Sequence, residues 1–297
     1  MTGYDKCIRC RKQPSIKNSH VIPRFVFKWM IETGGTKYLR NGTAPNKRIQ
    51  DGFKLPLLCL ECERETSVVE NRFSQQVFIP SVTDQSLPKK LGLNEYKFVA
   101  SVHHRVQAYF WRNTHTPSKY SNQERKDLQK SISLLRLFLV GKRHSVMPMQ
   151  LFLLPFGLGE FSNVRNMPAN WHRYIRRHME MDIIISERGK LFGSYFKIGP
   201  WVSFCLIKNS AQPWVGAELG LRSTKIGSTR VILPPSVQNF LRDRAQNAKK
   251  IVDSISQNQQ EKIGLALMEA DFLVAGRPMF EAIEADVHTF GAAALRD

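Results

Sequence analysis

Four cysteines form two pairs in the first quarter of the chain, Cys7 with Cys10 and Cys59 with Cys62. Cysteines separated by two residues can present both thiolates to one ion, and two such pairs complete the four-sulfur shell that zinc prefers in structural sites. The spacing therefore predicts a structural zinc. The alternative is an ordinary set of reduced, buried thiols.

The 48 residues between the two pairs exceed the roughly 15 to 20 of a compact zinc ribbon. We therefore expect the chain to leave the first knuckle, build a hairpin and return to the metal. The second pair ends an apolar run and precedes residues with helical periodicity, so Cys59 and Cys62 are expected to start a helix. A knuckle, a hairpin and a helix in this order form the treble-clef plan.

Two segments of the first 80 residues resemble the zinc-containing branch of the HNH, or ββα-metal, endonucleases. Ser19-His20-Val21-Ile22-Pro23 is similar to the first strand of that motif. The Cys-x-x-Cys-Glu segment at 59–63 is similar to its return into the final helix. A later Ser-x-x-x-Arg segment, residues 101–105, extends the resemblance to about residue 115.

The resemblance implies roles for three side chains in the hydrolysis of a phosphodiester. His20 is expected to be the general base, because a neutral imidazole with an ordinary pKa of about 6.5 can take a proton from water at pH 7. Glu63 and Glu70, seven positions apart on one helical face, are the expected ligands of a catalytic magnesium or manganese ion. Ser19 replaces the family's acidic or imidazole metal ligand, and Lys54 stands near its asparagine.

These residues also have structural interpretations. A histidine at a strand terminus can simply pack or form a hydrogen bond. Acidic residues in the first turns of a helix stabilise its N-terminus through the macrodipole without binding an ion.

The charge of the chain favours a polyanionic partner. The net charge is +19 with a pI near 10.0; it is +12 over residues 1–130, +9 over 131–240 and −2 over 241–297. Such a field attracts phosphate backbones. The expected nucleic-acid contacts are Arg9, Arg11, Lys12, Lys17 and Arg24 around the cleft, with Arg173, Arg176 and Arg177 on a second helix. The alternative is a solvated basic surface.

No segment predicts a membrane span or a secretory leader. The longest apolar stretch without charge, residues 145–159, has 15 residues, short of the roughly 20 that cross a bilayer, and no apolar region follows Met1. We expect a cytoplasmic protein, which suits reduced thiols, and we expect Cys205 to be a core residue.

Periodicity predicts a mixed α+β fold: an N-terminal zinc treble clef followed by a mainly helical body with a small antiparallel sheet. The expected regions are a zinc-binding module, a basic helical region, and a meander followed by C-terminal helices, at residues 1–80, 81–180 and 181–297. Pro80 to Pro88 is predicted as a connector. His103 and His104 diverge by about 100 degrees on a predicted helix and are expected to face solvent or phosphate.

Several elements of the body are predicted from local signals. Ser121 and Glu124 predict a capping box, and Trp171 to Glu180 predicts a basic helix. Met181 to Lys208 predicts an antiparallel meander. Three closing helices are expected at residues 237–255, 261–274 and 279–290, with an acidic face for packing, oligomerisation or a protein partner.

The sequence thus predicts a metal-dependent HNH-like endonuclease acting on DNA, in prokaryotic defence or mobile-element biology as the resemblance implies. One alternative is a non-catalytic zinc module that only binds nucleic acid. The other is a structural subunit of a larger complex.

Overall fold

A computed structural model gives the chain a mixed α+β architecture of helices and small antiparallel sheets. The structure describes residues 6–36, 38–113, 120–158, 166–186, 190–209, 214–226, 231–269 and 277–295. Within these ranges, no helix is both long and apolar enough to cross a membrane.

The N-terminal region consists of short strands and two main helices. Its elements are β1 (Ser19–His20), α1 (Arg24–Glu32), β2 (Leu39–Asn41), β3 (Ala44–Ile49), β4 (Lys54–Leu55), α2 (Leu60–Phe73) and, after a π turn, α3 (Ile79–Thr83). Strands β2 and β3 form a hairpin, and β1 pairs with β4 so that His20 lies opposite Lys54. The β2–β3 hairpin therefore lies between the two cysteine pairs, and α2 begins at the second pair, as expected.

Helix α2 begins immediately after Cys59, which is extended at φ −79° and ψ 167°. Glu61 and Glu63 lie in its first turn and Arg72 in its last. Both placements are favourable for the helix dipole.

Two long helices follow the connector. The elements are β5 (Lys90–Leu91), α4 (Leu93–Asn113) and α5 (Asn122–Leu139). The predicted capping box opens α5: Glu124 N donates to Ser121 Oγ at 3.2 Å, and Ser121 N donates to Glu124 Oε2 at 2.7 Å. Part of the predicted connector is helical, because α3 extends to Thr83.

A four-stranded antiparallel sheet forms the centre of the body, in the order β6-β9-β8-β7. Its elements, with the helix between the first two strands, are β6 (Gln150–Leu154), α6 (Trp171–Arg177), β7 (Met179–Ile185), β8 (Leu191–Ile198) and β9 (Trp201–Asn209). The meander predicted for residues 181–208 is confirmed. The predicted basic helix ends earlier than residue 180, since the chain enters β7 at Met179.

The chain closes with β10 (Thr224–Lys225), which pairs with β5, and with α7 (Pro235–Asp253), α8 (Gln257–Glu269) and α9 (Pro278–Phe290). These helices match the three predicted ones. The end of the second prediction, at residues 270–274, lies outside the described residues.

Helix α4 connects the N-terminal region to the sheet. It packs against α2 and α5 and against all four strands of the sheet. One buried cluster includes Cys7, Phe27 and Phe73 from the N-terminal region and Phe98 and Trp201 from the body. The first 80 residues therefore share a continuous apolar core with the rest of the chain. The boundaries at 80 and 180 stay predictions.

Candidate active site and metal centre

The four paired cysteines converge near the N-terminus. Their sulfur atoms all lie within 4.8 Å of one another, and Cys10 Sγ is 3.7 Å from Cys59 Sγ. The cluster could hold a metal ion such as zinc. It is the one group of three or more potential His, Cys, Asp or Glu ligands whose ligand atoms converge in the part of the chain that the structure describes.

Backbone hydrogen bonds shape the first knuckle and join it to the second. Arg11 N donates to Cys7 O at 3.0 Å, which closes the turn, and Ile8 N donates to Leu57 O at 2.8 Å. Lys12 N points to Cys10 Sγ at 3.5 Å, as expected for a thiolate that accepts amide hydrogen bonds. The knuckle is therefore fastened to the segment that carries Cys59.

His20 forms a direct pair with Asp51. The imidazole Nε2 lies 2.7 Å from Asp51 Oδ1, and the His20 side chain is 13% exposed. A carboxylate accepts but does not donate, so Nε2 carries the proton and Nδ1 is left to accept one. This is the arrangement that orients a histidine for general-base chemistry.

Asp51 is held in its ionised form by its neighbours. Burial opposes ionisation, but hydrogen bonds from Lys54, His20 and the Gly52 amide outweigh it and hold the pKa of the Asp51 carboxyl well below its ordinary value. Lys54 Nζ lies 2.5 Å from Asp51 Oδ2. Lys54, which occupies the expected asparagine position, thus acts on His20 through Asp51.

Gly52 allows the turn that carries Asp51 to pack closely against the core. A Cβ atom at this position would lie 2.0 Å from the ring of Phe27, and this ring also packs beside His20 with centroids 6.0 Å apart. Only glycine allows this approach. The Asp-Gly pair between β3 and β4 is a turn signal in the sequence, but no motif in the sequence marks Asp51 as a partner of His20.

Glu63 and Glu70 face Arg105 of α4, so the structure brings the predicted residues together. Arg105 is 1% exposed. It forms an ion pair with Glu70 Oε1 and donates to the His20 carbonyl at 2.8 Å. Burial raises the pKa of Glu63, and Glu70 adds to this effect, whereas Arg105, Ser19 and His20 oppose it. Arg105 therefore joins β1, α2 and α4 at the site.

One carboxylate oxygen at this site, Glu63 Oε2, is buried without a hydrogen-bond partner among the described residues. A buried carboxylate normally requires a proton, a donor or a cation. Glu63 therefore fits the role of a ligand to a hard divalent ion, whereas the oxygen of Glu70 is engaged by Arg105.

Several predicted nucleic-acid contacts lie within the protein. Arg9 is paired with Glu65 at 2.6 Å and donates to Leu139 O at 3.1 Å. Arg173 is paired with the fully buried Asp286 of α9 at 2.8 Å. Arg177 is 6% exposed, donates to Thr33 Oγ1 and Met30 O, and stacks on Trp29; burial lowers its pKa to about 10. These arginines join elements of the fold.

The remaining predicted cations are more accessible. Arg11, Lys12, Lys17 and Arg24 are exposed, and Arg176 is half-buried. Four basic side chains therefore surround the knuckle and β1 on the surface.

The expectation that His103 and His104 face solvent or phosphate is wrong. Both are buried, because α4 is enclosed by helices on one side and by the sheet on the other. His103 bridges Ser194 Oγ and Ser203 Oγ at 2.9 Å each. Cys205 is a core residue as predicted.

Comparison with known proteins finds no matching family model, no matching curated protein and no matching solved structure.

Proposed function

We propose that the chain is a metal-dependent HNH-like endonuclease that hydrolyses phosphodiester bonds of DNA. The observation that carries this proposal is the His20–Asp51 pair at 2.7 Å, beside a buried Glu63 oxygen that has no partner among the described residues. A base, its orienting carboxylate and a candidate cation ligand are the groups that this hydrolysis needs.

His20 would remove the proton from the attacking water. Since Nε2 donates to Asp51, Nδ1 receives this proton, and the ionised Asp51 stabilises the imidazolium that forms. Asp51 takes the part that the family's asparagine would play. Lys54 keeps Asp51 charged and turned toward the imidazole.

Glu63 would hold the divalent ion. When bound, magnesium or manganese supplies charge stabilisation for the phosphate and the departing oxygen. Mg²⁺ is usually held by one or two carboxylates together with substrate phosphates, so a single well-placed carboxylate suffices. Arg105 fixes the site by contacting the His20 carbonyl and Glu70.

The cysteine cluster would bind structural zinc at the centre of a treble clef. The first knuckle, the β2–β3 hairpin and α2 follow one another in the required order. Four thiolates leave no open position, so this zinc would take no part in the chemistry. The charge of +19 favours a polyanionic substrate. The setting in prokaryotic defence or mobile elements stays a prediction.

The first test compares plasmid cleavage by the wild type and by His20→Ala. We expect the wild type with magnesium or manganese to convert supercoiled plasmid to nicked and linear forms. Loss of the general base should lower the rate about 10²- to 10⁴-fold. His144→Ala, which changes an exposed histidine, is the matched control, and all three proteins are compared at equal zinc content.

Equal cleavage by wild type and His20→Ala would refute His20 as the base. No cleavage by any of the three proteins, together with salt-dependent DNA binding, would favour the non-catalytic zinc module instead.

A further inference from the structure

A pocket of about 370 Å³ lies between the zinc knuckle and helices α4 and α5. Ile8 of the knuckle, Trp111 of α4 and Ile132 of α5 supply apolar walls. Trp111 is half-buried, and the guanidinium of Arg125 lies 5.2 Å from the centre of its ring. The pocket therefore offers apolar walls and an aromatic ring to a flat ligand.

Three cationic side chains, Lys6, Arg11 and Arg112, also line the pocket. None of its described lining residues carries a carboxylate. Apolar walls combined with cationic side chains suit a ligand that has one flat apolar part and one anionic part. A nucleotide has this composition: its base can stack on an aromatic ring, and its phosphate can contact lysine and arginine.

The backbone at Arg11 supports a function for this side chain. Arg11 has φ 60°, in the left-handed region that disfavours residues with a Cβ atom by roughly 1 kcal/mol and that glycine adopts freely. Glycine would serve the knuckle turn at least as well. The backbone geometry therefore does not explain the arginine at this position, whereas a function in the pocket would explain it.

The pocket and the proposed active site are joined through α4 and β4. Arg112 follows Arg105 by seven residues, so both lie on one face of α4, about 10 Å apart along the helix axis. Arg112 also donates to Pro56 O at 2.8 Å, directly after β4, the strand that pairs with His20.

We propose that this pocket binds one unpaired nucleotide of the substrate strand, with its base on Trp111 and its phosphate on Lys6 and Arg11. This inference rests on the proposed nuclease function. It adds a specificity for strands that can present an unstacked base.

The test measures binding of a fluorescently labelled single-stranded 12-mer of DNA by anisotropy, without added magnesium or manganese. Arg11→Gly removes the cation and relieves the backbone, so zinc content and thermal stability should be retained. We expect weaker binding and a salt dependence reduced by about 0.7 in the slope of log K against log salt, the contribution of one phosphate contact to a single strand.

A second variant tests stacking independently. Trp111→Leu should weaken binding at least about fivefold, the lower end of the effect of losing one stacked base. Arg242→Ala is the charge-matched control, because Arg242 lies on α7, does not line the pocket and bonds only within its helix among the described residues.

Two outcomes would overturn the proposal for this pocket while leaving the nuclease proposal intact. In the first, both variants bind the 12-mer as tightly as the control does. In the second, free dTMP competes as well as the unlabelled 12-mer, which identifies a free nucleotide as the ligand. The nuclease proposal is judged separately, by the His20-dependent cleavage of plasmid.

Discussion

Asp51 is the residue on which the proposed chemistry of His20 depends. We predict that Asp51→Asn lowers the cleavage rate at least about 100-fold, because a neutral amide lacks the negative charge that stabilises the imidazolium. The affinity for DNA, measured without divalent metal, should stay within about twofold of the wild type. Asp84→Asn, an exposed acid outside the site, is the control.

Equal rates for Asp51→Asn and wild type would assign the Asp51–His20 contact to folding alone. A parallel loss of rate and of DNA affinity would do the same, since a residue that positions the base leaves binding unchanged.

The convergence of the four cysteines and the grouping of His20 with Glu63 and Glu70 could be predicted from the sequence, because both follow from residue spacings within motifs. Asp51 was missed because its role arises only when the β3–β4 turn returns against β1. The burial of Arg177 could not be predicted either. A run of basic residues is typical of an exposed face, and the partners of Arg177, Thr33 and Trp29, lie more than 140 positions away in the sequence.

The elements that carry the four cysteines determine whether a metal can bind between them. We predict that Cys59→Ala loses most of its zinc and a substantial part of its thermal stability, because Cys59 both supplies a thiolate and precedes α2. Cys205→Ala is the matched control: Cys205 is equally buried but lies in β9, away from the cluster. It should keep one zinc per chain, as measured by elemental analysis.

Full zinc content in Cys59→Ala would contradict a zinc site formed by the four cysteines. Among the elements, the capping box of α5 and the β7–β9 meander were predictable because their signals are local. The length of α6 was not, since the pairing of β7 with β8 ends it.

The whole molecule is built around α4, and this has a consequence for its acid stability. Burial lowers the pKa of His103 to about 3. Burial, and then the charges of Arg105, Arg9, Arg136 and Arg11, lower that of His104 to about 3. Both imidazoles are neutral in the folded chain, whereas in the unfolded chain they titrate near 6.5.

Between pH 6.5 and 3 the unfolded state therefore binds more protons than the folded state, so stability is complete above 6.5 and falls as the pH falls. We predict that the free energy of unfolding drops by about 2 kcal/mol per histidine between pH 7 and pH 5. Denaturation by urea at both pH values with excess zinc measures this drop. It should shrink by about 2 kcal/mol in His104→Leu and remain in His144→Gln, where the histidine is exposed. An unchanged drop in His104→Leu would exclude His104 as a cause.

The burial of α4 could not be predicted from its periodicity, because an apolar stripe marks one face while the sheet and two helices cover the others. The acidic C-terminal helices are partly explained: Asp286 accepts from the backbone amides of His172 and Arg173 and thereby caps α6. A protein partner on the rest of that surface stays a prediction.

The continuous core between the cysteine region and the sheet also limits how this protein can change in evolution. Trp201 Nε1 donates to Ser81 Oγ at 2.9 Å, and a Cβ atom on Gly199, at φ 54°, would lie 2.9 Å from the ring of Trp29. Recombination that moved the first 80 residues into another protein would expose the aromatic side of α1 and separate Arg105 from His20. The N-terminal region is therefore inherited with its body, and diversification is expected at surface positions rather than by exchange of a cassette.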